Sequence, residues 1–269
     1  MIPAASMLQH WLRSAYASRR QVILFLDYDG TLVPLAPHPD QAILHDSTRD
    51  LLADLARLPQ VFVGIISGRT LDDVQAKVRL DSLFYAGISG LEIDLGSLRL
   101  RHHSAMQVAP VMGRLIEHVE SILADFPGSW IENKQFGMTV HFRNLVADRQ
   151  RELQARVAGT IQALSASLRI ATGPSALEIG PSGQCHKGTA VQAIIDHLGN
   201  CSPACLCAGD EANDVEMFEA VTAQSGICLG VGTSAPYSAH VRLASPIELN
   251  RVLRGMRNDL AQIAGRAVG

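Results

Sequence analysis

The chain has 269 residues, 47% of them apolar, enough to bury one large core or two modest ones. Its net charge of -3, with acidic and basic residues interspersed, leaves no basic stripe for nucleic acid or an anionic membrane, so neither is expected as a partner. The longest apolar run near the N-terminus, VILFL, is five residues long and ends in Asp27, which fits neither a signal peptide nor a membrane span; a cytoplasmic protein is expected.

In chain order, residues 22–27 (VILFLD) read as a strand buried on both faces. A helix over 47–58 starts with Ser47 as its cap and repeats Leu51, Leu52, Leu55 and Leu58. VFVGIIS (61–67) is a second buried strand. The middle then changes character, with a helix over 109–126, an alternating segment over 129–144, a helix over 147–166 and strands within 168–181. Beyond it follow a helix over 187–198, apolar strands at 205–210 and 226–232, and a closing helix over 247–264. Strands alternating with helices predict a doubly wound, mostly parallel α/β core. The middle block reads as an inserted α+β unit, so 1–103 and 182–269 form the core and 104–181 the insert.

The five cysteines are odd in number and mostly embedded in apolar runs, unlike a secreted disulfide framework. Cys201, Cys205 and Cys207 match no common zinc spacing, and Cys205 and Cys207 share one face of an extended segment. Small buried hydrophobes are the expectation.

The chemistry gathers where the strands end. Asp27 and Asp29 follow the first core strand, Ser67 and Arg69 the second, and Asp210 and Asp214 flank the end of the third. In an open parallel sheet the loops at the carboxyl ends form the ligand crevice, so one rim collects four carboxylates. Like charges so close raise each other's pKa unless a cation intervenes, and hard oxygen donors of this kind suit Mg²⁺ bridging to a phosphate. Lys187 stands at a helix start, where the macrodipole disfavours a cation, with Gly183 and Gly188 nearby to admit close backbone approach; an anionic ligand there would offset the mismatch.

Blander uses exist for several of these residues. Ser67 suits the N-cap of the helix carrying Leu71, Val74 and Val78, and a cap is compatible with holding a phosphate. Asp210 and Asp214 suit a turn and a helix start. Glu132 and Lys134, two apart on an alternating strand, share a face that a solvated sheet would also present. His102 and His103 lack a companion carboxylate or Cys pattern and are expected in solvent; His186 adjoins Lys187 without an assigned role.

DYDGT (27–31), the strand ending at Ser67 in SGR, Lys187 and GDEAND (209–214) resemble, in order, the four motifs of the haloacid dehalogenase superfamily of phosphohydrolases. IISGR (65–69), AGISGLEI (86–93), WIENKQFGMTVHFR (130–143), ALEIGPSGQCHKGTAV (176–191) and GDEANDVEMF (209–218) further resemble segments of trehalose-6-phosphate phosphatases. Ser89 stands where that family usually has His, and Glu211 and NDVE stand where it usually reads GDD and TDED.

The resemblance implies that Asp27 attacks phosphorus to form an aspartyl phosphate, while Asp29 protonates the leaving oxygen and then activates water. It implies Mg²⁺ on the Asp27 side chain, the Asp29 backbone carbonyl and Asp210, with Asp214 as ligand or support. Ser67, the Gly68 backbone and Lys187 would hold phosphate oxygens. Glu132, Lys134 and Glu178 would contact sugar hydroxyls, with Arg69 and Arg143 as further candidates, and the insert would close as a cap. The implied ligand is a small sugar phosphate handled by a monomer. Alternatives left open are phosphatases for glucosyl or mannosyl 3-phosphoglycerate, a phosphomutase, and a catalytically silent sugar-phosphate sensor.

Overall fold

The structure is a computed structural model and describes residues 4–267 except 19, 165–166, 174, 184 and 200–201. It opens with α1 (Ala4–Ala17), β1 (Val22–Leu26), α2 (Asp46–Ala56), β2 (Val61–Ile66), α3 (Leu71–Val78), β3 (Phe84–Gly87), β4 (Glu92–Asp94) and β5 (Arg99–Arg101). Next come α4 (His103–Leu123), β6 (Trp130–Asn133), β7 (Met138–His141), α5 (Ala147–Leu164), β8 (Leu168–Thr172) and β9 (Ala176–Pro181). The chain then runs through α6 (Lys187–Leu198), β10 (Ala204–Gly209), α7 (Val215–Ala223), β11 (Ile227–Val231), β12 (Val241–Leu243) and α8 (Pro246–Ala267). Two compact units result: Met1–Leu100 with His186–Gly269, and Arg101–Cys185.

The first unit is built on an eight-stranded sheet ordered β12-β11-β10-β1-β2-β3-β4-β5. Its pairs from β12 through β3 are parallel and β4 turns antiparallel to β3, giving the doubly wound, mostly parallel sheet expected. VILFL explains the layering. Along β1, Val22, Leu24 and Leu26 enter one apolar cluster with residues of α1, α2 and α8, while Ile23 and Phe25 enter a second with residues of α6 and α7. A strand with period two and helices on both faces must be apolar at every position, and all five residues are buried. Cys205, Cys207 and Cys228 are buried in the second cluster as small hydrophobes; Cys201 lies outside the described residues.

The second unit is a four-stranded antiparallel sheet, β6-β7-β9-β8, packed on α4 and α5. Met138, Val140, Leu177 and Ile179 alternate into its core, where α4 contributes Val108, Met112, Leu115 and Val119 and α5 contributes Leu153, Val157 and Ile161. Those helical positions recur at three- and four-residue steps, the spacing that keeps one stripe buried.

Several boundaries differ from expectation for identifiable reasons. Helix α2 begins at Asp46, capped by the His45 ring accepting from Ser47 N at 3.2 Å, so Ser47 is not the cap. Helix α4 begins at His103 rather than 109; Pro110 lies inside it, and His102 caps it by accepting from Ser104 N. That cap is what the expected solvent-exposed histidine does. The alternating segment over 129–144 is a hairpin of β6 and β7, and 165–166 of the expected helix over 147–166 fall outside the described residues. No described helix is long and apolar enough to cross a membrane.

Candidate active site

Register places the chemistry. Leu26 at the end of β1 pairs with Ala208 of β10 and Ile65 of β2, so the residues that follow on all three strands emerge at one rim. Asp27 N donates to Ala208 O at 3.0 Å and Ser67 N to Ala86 O at 2.9 Å, which extends the sheet's pairing to the reactive positions. Gly30 then turns with φ +78°, and a Cβ there would collide with the Asp210 carboxylate.

Lys187 is the hub. Its ammonium, 1% exposed, donates to Asp27 Oδ1 at 2.7 Å and to Asp214 Oδ1 at 2.6 Å. The other Asp214 oxygen accepts from the backbone N–H groups of Asp210 and Glu211, at 2.9 and 3.1 Å. The macrodipole mismatch of a lysine opening α6 is therefore offset by two carboxylates of the chain itself. Gly188 serves a close approach, but to the Glu216 carbonyl of α7.

Oxygens of Asp27, Asp210 and Asp214 lie within 4.8 Å of one another, all three residues buried. Burial first, then the neighbouring carboxylates, push Asp210 up to about 9, with Lys187 pulling the other way. Asp27 is likewise raised by burial to about 7, Lys187 opposing and Asp214 reinforcing. Burial resists the charge on Lys187, yet Asp214 and Asp27 hold its pKa above the ordinary lysine range. Three buried carboxylates facing one ammonium form an all-oxygen donor set with surplus negative charge, and that set fits a hard divalent cation. Among the described residues it is the one acidic, His or Cys cluster of this kind.

Asp29 belongs to a second network. Arg69 grips it in a fork, Nε to Oδ2 and Nη2 to Oδ1, both at 2.7 Å. The same guanidinium donates to Asp73 Oδ2 at 2.6 Å and to the Pro39 carbonyl at 2.8 Å, and lies 5.3 Å from the Tyr28 ring centroid. Expected toward sugar, Arg69 is instead buried and committed to Asp29 and Asp73. Burial alone would weaken its charge, but Asp29 and Asp73 raise it above its ordinary range.

Ser67 is buried, and its Oγ accepts from Arg69 N at 3.1 Å. It does not cap α3; Thr70 does, accepting from Asp73 N. Gly68 faces open space, for a Cβ there would meet nothing within 4 Å. The 67–69 turn is braced by Ile88 and Ser89, whose N–H groups donate to Arg69 O and Ser67 O at 2.6 and 2.9 Å. Both bracing residues are left-handed, φ 47° and 55°, a strained state for a β-branched residue. His186 occupies the N-cap position of α6, its N–H donating to Thr189 Oγ1.

In the second unit, Glu132, Thr139 and Glu178 are successive register partners across β6, β7 and β9, so the three side chains share one face. Glu132 meets His141 Nε2 at 2.9 Å and Lys134 Nζ at 3.8 Å, and the His141 ring stacks on Trp130 with centroids 4.0 Å apart. Lys134 lies in the turn beyond β6, not in the strand. Arg143 is exposed beyond β7 and outside this row. Sequence reasoning passed over Asp73, Thr139 and His141; the Arg69–Asp73 spacing of four was a visible signal for the first.

A central parallel sheet carrying strand-terminal aspartates, a buried lysine and an acidic triad defines a haloacid dehalogenase-type α/β protein. The trehalose-phosphatase family model matches residues 25–246, and the chain belongs to that family. It is 33% identical over 207 residues to the trehalose-phosphate phosphatase of Mycobacterium tuberculosis, covering 75% of this chain and 52% of that protein. Trehalose-phosphate phosphatase B of Arabidopsis thaliana is 28% identical over 259 residues, 88% of this chain and 66% of that one. The chain thus spans about half the length of the mycobacterial relatives. In fold it resembles a trehalose-6-phosphate phosphatase related protein with TM-score 0.77 at 24% identity, covering 89% of this chain and 99% of that one. The C-terminal domain of the C. albicans trehalose-6-phosphate phosphatase follows at 0.76 and 19%, covering 96% and 97%.

Proposed function

We propose that this chain hydrolyses trehalose 6-phosphate to trehalose and phosphate. The observation that carries the reading is Lys187 buried against Asp27 and Asp214, with Asp210 in the same cluster, inside a family match over residues 25–246 that takes in the whole second unit and the part of the first that bears these residues.

Asp27 is the nucleophile: its carboxylate oxygen forms a bond to phosphorus as the bond to the sugar oxygen breaks. Lys187, 2.7 Å from Asp27, opposes the burial that raises that carboxylate's pKa, so it favours the anion, and it faces the phosphoryl oxygens. Asp29 gives a proton to the departing sugar oxygen, then takes one from the water that cleaves the aspartyl phosphate. Ser67 donates its hydroxyl hydrogen to the phosphate, and the Gly68 N–H lies on the turn that adjoins it. Asp27, Asp210 and Asp214, with the Asp29 carbonyl, would hold Mg²⁺. When bound, the cation neutralises the acids and the phosphoryl charge. Asp214 keeps Lys187 and the Asp210 backbone in place.

The second unit supplies sugar recognition through Glu132, Lys134 and Glu178, whose carboxylates and ammonium match hydroxyl donors and acceptors. Arg143 stays a weaker contact. A monomer working in the cytoplasm belongs to the same reading.

The test is phosphate release from a panel of trehalose 6-phosphate, glucosyl and mannosyl 3-phosphoglycerate and simple hexose phosphates, with Asp27→Asn and EDTA controls. Preference for trehalose 6-phosphate supports the proposal. Equal rates across the panel refute the disaccharide assignment, a rearranged phosphorylated product indicates a mutase, and binding without turnover a sensor.

A further inference from the structure

Arg69 is 5% exposed and directs four N–H donors at fixed partners, two at Asp29 and one each at Asp73 and the Pro39 carbonyl. A guanidinium has five such donors, so little remains for a ligand. Its fork also fixes the plane of the carboxylate it holds, because two parallel bonds to two oxygens remove the rotation that one bond would leave free. A carboxylate has about four lone-pair directions, and the fork occupies two of them. One direction on each oxygen of Asp29 stays open, aimed by the grip.

We infer that Arg69 is a positioning residue for Asp29, held in place by Asp73, and not a sugar contact. Asp73 is the second anchor. It sits one helical turn along from Arg69, and Thr70 fixes the start of that helix by accepting from Asp73 N. The Pro39 carbonyl and the Tyr28 ring confine the guanidinium from the remaining sides. Arg69 therefore ties the loop after β1 to the start of α3, and among the described residues the only reacting group its guanidinium touches is Asp29. Asp73 faces Arg69 as a charge partner and takes no other part.

The inference rests on the hydrolase reading, and its signature separates orientation from sugar binding. Proton delivery matters when the leaving group is a sugar alkoxide and little when it is p-nitrophenolate, which departs without a proton. The experiment measures leaving-group release in a single turnover, from trehalose 6-phosphate and from p-nitrophenyl phosphate, with Mg²⁺ present. Arg69→Ala is expected to slow release of trehalose by about 100-fold while slowing nitrophenolate by less than about 5-fold, with the concentration of sugar phosphate at half-saturation unchanged. Arg69→Lys keeps the charge without the fork and should recover little of the lost rate. Asp73→Asn should show the same selective loss at about 10-fold, and it keeps the test decisive if Arg69→Ala does not fold. A raised half-saturation concentration with an unchanged maximal rate would make Arg69 a substrate contact and overturn the inference. Equal loss on both substrates would overturn it as well. Wild-type protein that releases neither leaving group overturns the hydrolase reading first, and this inference with it.

Discussion

The two units use charge in opposite ways. In the first, Lys187, Asp27 and Asp214 are buried and paired, and Arg69 is gripped on several sides, so each of these charges has partners that fix it. In the second, Glu132 is partly exposed, with His141 at 2.9 Å and Lys134 at 3.8 Å from its carboxylate, and Glu178 is exposed. Fixed, desolvated charge suits bond-breaking, where reorganisation during reaction is costly. Looser polar groups on a sheet face suit a polyhydroxylated ligand, whose contacts replace water at small net cost.

If that contrast holds, substitutions should split by kind as well as size. Asp27→Asn removes the proposed nucleophile and should lower phosphate release by at least about 1,000-fold while the fold is retained, read by phosphate assay alongside circular dichroism. Lys187→Met should lower activity comparably and also cost stability, about 3–5 kcal/mol, because Asp27 and Asp214 lose their buried counter-charge; urea unfolding checks this. Glu132→Gln and Glu178→Gln should instead raise KM about 10-fold with Tm unmoved. A large stability loss in those two would erase the distinction between the units.

The smallest effect concerns pH. Asp210, raised to about 9 by burial and its neighbouring acids, keeps its proton in the folded chain through a range where the unfolded chain has lost it. Between the ordinary carboxylate range near pH 4 and about pH 9 the folded state binds more protons, so metal-free stability falls as pH rises. Mg²⁺ should raise Tm, and more at pH 8 than at pH 5, in thermal melts with EDTA as reference. Asp210→Asn should raise the metal-free Tm and flatten its pH dependence. A Mg²⁺ effect equal at both pH values would speak against the triad as the cation site.

What the sequence disclosed follows from this contrast. Strand-terminal acids were legible because a fully apolar run such as VILFL fixes a buried parallel strand, and the register of such strands brings their ends together. Lys187 was legible as a cation at a helix start, but its two carboxylate partners lie 160 and 27 positions away and only folding reveals them. The Arg69–Asp29 fork, 40 positions apart, was hidden for the same reason. His45 and His102 act as helix caps, a place where Ser, Thr, Asp and Asn are the usual signal, so α2 and α4 start earlier than their patterns suggest. The turn at Ile88 and Ser89 is held by bonds to Ser67 and Arg69 against local preference, and no propensity argument reaches it.

The claim at the centre is that Asp27 carries the phosphoryl group during turnover. Acid quenching of a single turnover with trehalose 6-phosphate and Mg²⁺, followed by peptide mass spectrometry, tests it most directly. A phosphoryl adduct confined to the peptide bearing Asp27, absent in Asp27→Asn, is the predicted result. Phosphate release with no adduct there, or an adduct on another peptide, would contradict it.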